Sequence, residues 1–106
     1  MNNLAKLLLL FIVLVGPVKA GEWNNWGKVE EVYTYPARNG VYFKLDNHVN
    51  PDTCSSSTYL MLSKDNLLFG ETYSLLLSAF SAKKSVRIFV AGCDGNYPKI
   101  DMVLSK

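Results

Sequence analysis

The sequence is poor in the side chains that bind metals or attack substrates. Its 106 residues include a single histidine, His48, and two cysteines, Cys54 and Cys93, with no C-x-x-C pair. A structural zinc site needs four thiolate or imidazole ligands, usually in closely spaced pairs. A catalytic thiolate needs a histidine base in contact with it, and His48 stands in the polar run DNHVNPD, which is typical of a loop. We therefore expect no metal site and no cysteine nucleophile.

Motifs of the common enzyme classes are also missing. The chain has no G-x-S-x-G, no glycine-rich phosphate loop and no carboxylate pair at the spacing of a glycosidase. Asp46 and His48 are near enough in sequence to form an acid–base pair, although a single loop histidine is more often an exposed surface residue. The prediction is a protein that is not an enzyme, with no catalytic residue and no cofactor.

Long apolar runs are missing as well. Leu7–Val15 is nine residues long, whereas a membrane-spanning helix needs about 20. Lys6 precedes this run, and a Gly-Pro pair and Ala20 follow it, as in a secretory signal peptide. We predict a signal peptide over residues 1–20 and one domain over 21–106. The expected location is secreted or periplasmic in a bacterium, with no membrane span after cleavage.

Neither sign of charge is in excess once the signal peptide is set aside. The chain has 11 basic and 9 acidic residues. Lys6 and Lys19 belong to the signal peptide, which leaves 11 − 2 = 9 basic residues against the same 9 acidic ones. Nucleic-acid binding depends largely on neutralising phosphates, so no nucleic-acid partner is expected.

The two cysteines are predicted to pair. An exported protein with an even number of cysteines usually forms disulfides, and a domain of this size often needs a covalent cross-link. A Cys54–Cys93 disulfide would stabilise the fold by about 4 kcal/mol in the chain-entropy model.

Hydrophobic periodicity predicts five strands and one helix. Residues of alternating polarity mark the strands, and an i, i+3, i+4, i+7 pattern marks a helix with Tyr73, Leu76, Leu77 and Phe80 on its core face. The last strand is predicted to point Ile100, Met102 and Leu104 inward. This order of elements favours a mostly β fold, a five-stranded OB-fold-like Greek-key barrel with the helix between strands 3 and 4; another small α+β domain is the alternative. The predicted strands are 28–35, 41–45, 58–62, 85–92 and 98–105, with a turn at 36–40 and the helix at 70–84.

Several stretches resemble a known family. They are Glu22-Trp23, GKVEEVY (27–33), VYFKLD (41–46), YPKI (97–100) and, above all, TYSLLLSAFSAKKSVRIFV (72–90), where a helix leads through a polar turn into a V-R-I strand. Together they resemble the B subunits of bacterial AB5 toxins, of the subtilase-cytotoxin and pertussis-like type.

The resemblance implies a function in binding. Such B subunits form ring pentamers and bind cell-surface glycans, often sialylated, to deliver a catalytic A subunit. In the members that bind sialic acid, a hydroxyl residue precedes the glycine that opens the first strand, whereas here Trp26 precedes Gly27. The expected partners are a cell-surface glycan or an exported protein, together with further copies of this chain, a pentamer by analogy.

The aromatic segment GEWNNWG contains the main candidate ligand residues. Trp23 and Trp26 are suited to stacking on sugar rings, and Asn24 offers an amide beside them; equally, the tryptophans are suited to clasping the N-terminal segment. Tyr42, on the polar side of the second strand, is a further candidate ligand residue, although aromatic side chains in strands more often pack against their neighbours. The predicted function is an exported, disulfide-linked binding module with a glycan ligand, and the alternative is an envelope protein-interaction or inhibitor domain without one.

Overall fold

A computed structural model describes residues 21–106 of the chain. The predicted signal peptide, residues 1–20, lies outside the described residues. Six strands and one helix follow in the order that the periodicity predicts, with one short strand added at the start. Their bounds are β1 Glu22–Trp23, β2 Val29–Thr34, β3 Gly40–Leu45, β4 Leu60–Ser63, α1 Phe69–Ala82, β5 Val86–Asp94 and β6 Tyr97–Ser105.

The strands form one mixed sheet in the order β1-β5-β6-β4-β3-β2. Neighbouring strands are antiparallel except β4 and β6, which run parallel and pair at Met61 and Lys99. The mostly β fold with one helix is thus confirmed over residues 21–106. The closed five-stranded barrel is not, because this part of the chain forms six strands and its sheet ends at β1 on one side and β2 on the other.

The sixth strand arises where the N-terminal segment changes its neighbour. β1 pairs with β5 and β2 pairs with β3. Between them, the Gly27 N–H donates to the Val86 carbonyl oxygen at 3.0 Å, and the Val86 N–H donates back to Gly27 at 2.7 Å. A side chain at position 27 would collide with the Asn47 amide oxygen, so glycine is required at this position.

The core lies between α1 and the inner face of the sheet. Leu76 faces it as predicted and Tyr73 is half-buried against it, but Leu77 and Phe80 are more than one third exposed. The helix instead turns toward the sheet a face on which Leu76 stands between two smaller residues. The buried helix residues are Thr72, Leu76 and Ala79. Its largest fully buried partners on the strands are Phe43, Leu60, Leu62, Ile88 and Ile100.

A register shift in β6 changes which of its residues point inward. Ile88 pairs with Val103 and Val90 pairs with Ile100, so β6 contains one more residue than β5 between these two pairs. Such a bulge reverses the alternation of faces. Ile100 is buried as predicted, but Met102 and Leu104 are nearly half exposed, contrary to the inward orientation that simple alternation predicts.

The turn between β2 and β3 also differs from its prediction. Asn39-Gly40 is a dipeptide typical of a turn with positive φ angles, yet neither residue has one. Gly40 begins β3, where a Cβ would collide with the Leu62 carbonyl oxygen. Glycine is needed here for the close approach of β4.

Candidate functional site

The two tryptophans lie at the β1 edge of the sheet. Trp23 packs its ring against Phe89, with 5.3 Å between the centroids, and the Arg87 guanidinium lies 5.4 Å from the Trp23 centroid. Trp26 is 39% exposed, and the Lys106 ammonium lies 4.8 Å from its centroid. Each ring therefore already packs against a cation of the chain itself.

Asn24 is buried and structural in its contacts. Its Oδ1 accepts a 2.6 Å hydrogen bond from the Ile88 N–H, and its Nδ2 donates to Asn47 Oδ1 at 3.0 Å. The Arg87 Nε–H donates to the Asn24 carbonyl oxygen. Only 2% of Asn24 is exposed, so its amide continues the pairing with β5 and does not face a ligand.

Asp46 and His48 do not form an acid–base pair. The Asp46 carboxylate accepts a hydrogen bond from the Lys28 N–H. The His48 ring accepts at Nδ1 from the Leu45 N–H and contacts the Ser57 carbonyl oxygen through Nε2 at 2.6 Å. This pair of contacts requires the neutral ring with its proton on Nε2, and it fixes the start of the 46–59 loop.

Tyr42 lies elsewhere, at the centre of an aromatic cluster on the outer face of β2, β3 and β6. Its ring meets Tyr97 at 4.8 Å, Tyr33 at 5.6 Å and Tyr59 at 6.0 Å between centroids. Tyr33 also stacks on Tyr59 and on Tyr35. We call these five residues the tyrosine surface: Tyr33, Tyr35, Tyr42, Tyr59 and Tyr97.

The central residue of the tyrosine surface is buried, and the residues around it are partly exposed. Tyr42 is 3% exposed, whereas Tyr33 and Tyr35 are each 46% exposed. Burial raises the pKa of the Tyr42 phenol; the nearby Arg38 opposes this, and Asp94 adds to it. The phenol therefore stays protonated, and can donate a hydrogen bond, throughout the neutral pH range.

The predicted Cys54–Cys93 disulfide is present and borders this surface. It joins the 46–59 loop to β5 with 5.8 Å between the Cα atoms. The Ser56 N–H also donates to the Asn96 carbonyl oxygen at 2.8 Å. These two links hold the loop against the β5–β6 hairpin, and Tyr59, at the end of the loop, and Tyr97, at the start of β6, both contact the Tyr42 ring.

A cleft of about 630 Å³ lies beside the tyrosine surface, between the β4–α1 connection and the β5–β6 hairpin. We call it the polar cleft, and its polar side chains are Ser63, Asp65, Asn66, Asp94, Lys99 and Asp101. Asn66 fixes one wall, because its amide donates to the carbonyl oxygens of Ile100 and Asp101.

The sequence indicated only part of this arrangement. Tyr33 and Tyr35 are two residues apart, which places them on one face of a strand, and Tyr42 follows on the next strand. The sequence does not indicate that Tyr59 and Tyr97 belong to this surface, because only the disulfide and the β4–β6 pairing bring them close to Tyr42. The structure puts Tyr42 on this surface and the two tryptophans at the opposite edge of the sheet, so the four predicted ligand residues do not form one site.

Within residues 21–106, no group of three or more histidine, cysteine or acidic side chains is arranged to hold a metal ion. The helix in the same part of the chain is too short and too polar to cross a membrane. Comparisons with protein-family models, curated proteins and solved structures gave no match to this chain. The tyrosine surface is therefore the feature of the described residues from which a function is inferred.

Proposed function

We propose that the protein is an exported, non-enzymatic binding module that holds a glycan on the tyrosine surface. The observation that carries this proposal is the combination of half-exposed tyrosine rings around the buried ring of Tyr42, whose hydroxyl still contacts solvent. Tyrosine rings offer flat apolar area against which the C–H face of a sugar packs, and their hydroxyls supply hydrogen bonds at the edge. Export is supported by the disulfide and by the signal-peptide pattern of residues 1–20.

The proposed fold is the OB-fold-like barrel that the order of elements predicts. In this interpretation β1, Gly27 and β2 act as one bent strand that pairs with β5 at one end and β3 at the other. The paired hydrogen bonds between Gly27 and Val86 support it, as does the parallel pairing of β4 with β6. OB-folds bind oligosaccharides on the face of their second and third strands and on two adjoining loops. Here that region corresponds to β3, β4 and the loops around Arg38 and Asp94, and it includes Tyr42 on β3 and lies next to Tyr59, which precedes β4.

A glycan array and titration of purified protein test the proposal. We expect binding to at least one oligosaccharide class, and a loss of about tenfold in affinity, about 1.4 kcal/mol, in Tyr33→Ala. Tyr33 is half exposed, so its truncation removes ligand contact with little effect on the core.

Trp26→Ala is the matched control, because it removes an exposed aromatic ring at the other edge of the sheet. If Tyr33→Ala loses affinity and Trp26→Ala does not, the result indicates that the glycan binds at the tyrosine surface. A loss confined to Trp26→Ala would instead favour the tryptophan site that the sequence predicts. Capture of a protein from envelope extracts with no glycan dependence would favour the protein-interaction alternative.

We also propose self-association, as the B-subunit resemblance implies. An apolar groove of about 300 Å³ runs between α1 and β6. Trp23, Leu68, Leu75, Met102 and Leu104 line it, and most of them are more than one third exposed. Exposed apolar area of this kind commonly marks an interaction site, and a second copy of the chain is its proposed occupant.

A further inference from the structure

We propose that the tyrosine surface and the polar cleft form one extended site for a glycan that ends in a neutral sugar, and that the cleft disfavours acidic sugars such as sialic acid. This inference rests on the proposed function and adds the class of sugar to it. Three features carry it: the continuity of the two surfaces, the hydroxyl of Tyr42, and the charges of the cleft.

Strand register makes the two surfaces continuous. Tyr42 pairs with Met61, and Met61 pairs with Lys99, so the three residues form one row across β3, β4 and β6. Asp94 pairs with Tyr97 at the end of β5 and also lines the polar cleft. The tyrosine surface and the polar cleft are therefore joined through Lys99 and Asp94, and a ligand longer than one sugar could contact both.

The Tyr42 hydroxyl offers a hydrogen bond to a ligand on the tyrosine surface. More than nine tenths of the residue is buried, yet its hydroxyl makes no hydrogen bond to any residue in the described part of the chain. Its oxygen retains contact with solvent. Because this oxygen is open to solvent and makes no hydrogen bond within the described residues, a sugar hydroxyl can take the place of the water that it contacts.

The charges of the polar cleft select against anions. Asp65, Asp94 and Asp101 supply three carboxylates, against the single ammonium of Lys99. Over residues 21–106 the one ion pair joins Glu31 to Lys44, so no ion pair neutralises these carboxylates.

Carboxylates accept strong hydrogen bonds from neutral hydroxyls, whereas a carboxylate on the ligand would be repelled by them. Beside Tyr42, Arg38 acts on the phenol more strongly than Asp94 does. The selection against an acidic sugar is therefore assigned to the polar cleft and not to the tyrosine surface.

Calorimetric titration with two matched probes tests the inference: a galactose-terminated oligosaccharide, and the same chain extended by one sialic acid. We expect the wild-type protein to bind the neutral probe at least tenfold more tightly. Asp65→Asn changes an exposed residue that lines the polar cleft but not the apolar groove. It keeps the shape of the side chain and removes one charge, so it should narrow the ratio of the two affinities at least threefold, and Asp65→Asn with Asp101→Asn should narrow that ratio further.

Glu30→Gln is the matched control, since it removes one exposed carboxylate from β2, outside the cleft, and should leave the ratio unchanged. Equal or tighter binding of the sialylated probe by the wild-type protein would overturn the inference and leave glycan binding in place. If neither aspartate variant changes the ratio of affinities for the neutral and sialylated probes, the inference is also overturned. Binding of no glycan in the array would overturn the proposed function, and this inference with it.

Discussion

Asn24 shows how one side chain can replace a stretch of strand. Its side-chain amide oxygen accepts a hydrogen bond from the Ile88 N–H, and its backbone N–H donates to the Ile88 carbonyl oxygen at 3.4 Å. The N-terminal segment can therefore leave regular pairing between β1 and Gly27 without exposing the backbone of β5. Sequence alone assigned Asn24 to a ligand because it stands between two tryptophans, and nothing local reveals a partner 64 residues away.

Asn24→Ala should destabilise the fold by about 1–3 kcal/mol, because it leaves the buried Ile88 N–H without an acceptor. Urea denaturation followed by circular dichroism measures the change. Asn25→Ala is the control: Asn25 is exposed, and its replacement should alter the free energy of unfolding by less than about 0.5 kcal/mol. Equal losses in the two variants would contradict this role for Asn24.

At the scale of elements, the parts that depend on local pattern were predictable. The alternation of Val41, Phe43 and Leu45 predicts β3, and all three are buried. The parts that depend on partners were not. The exposure of Met102 follows from a bulge that is defined only by the register with β5, and the exposure of Leu77 follows from how α1 docks on the sheet.

The disulfide is the element-scale feature that the sequence predicted best, since it depends on cysteine number and export. Replacing both Cys54 and Cys93 by serine should lower the free energy of unfolding by about 4 kcal/mol, a large share of the roughly 5–15 kcal/mol typical of a domain. Chemical denaturation of the oxidised protein and the double variant measures this loss.

Ser55→Ala, next to Cys54 but outside the cross-link, is the control and should unfold close to the wild type. In the double serine variant the 46–59 loop also loses its covalent link to β5, so we expect weaker glycan binding through Tyr59. Free thiols in the purified wild-type protein would argue against this contribution of the disulfide to stability.

At the scale of the whole molecule, two surfaces remain open on different sides of the sheet. The tyrosine surface extends over β2, β3 and β6, and the apolar groove lies between α1 and the exposed side of β6 near β1. A copy bound in the groove would leave the tyrosine surface accessible and would cover Leu68 and Asp101, which the groove shares with the polar cleft. This arrangement suits an assembly that presents several binding sites at once and gains avidity from them.

Sizing by light scattering at micromolar concentration should show an oligomer. Met102→Lys with Leu104→Lys should shift it toward monomer, because charges placed in the groove must be desolvated on association. Leu77→Lys, on the exposed side of α1, is the control and should leave the assembly intact. A wild-type protein that is monomeric under these conditions would exclude the ring.

The separation of the two kinds of aromatic residue has a spectroscopic consequence. Both tryptophans lie at the β1 edge, and five of the six tyrosines meet at the tyrosine surface. A ligand that reaches the Tyr42 phenol should therefore perturb the near-ultraviolet dichroism of the tyrosine band, while the tryptophan band keeps its shape. The chain carries its own optical reporter of occupancy, and no dye needs to be attached.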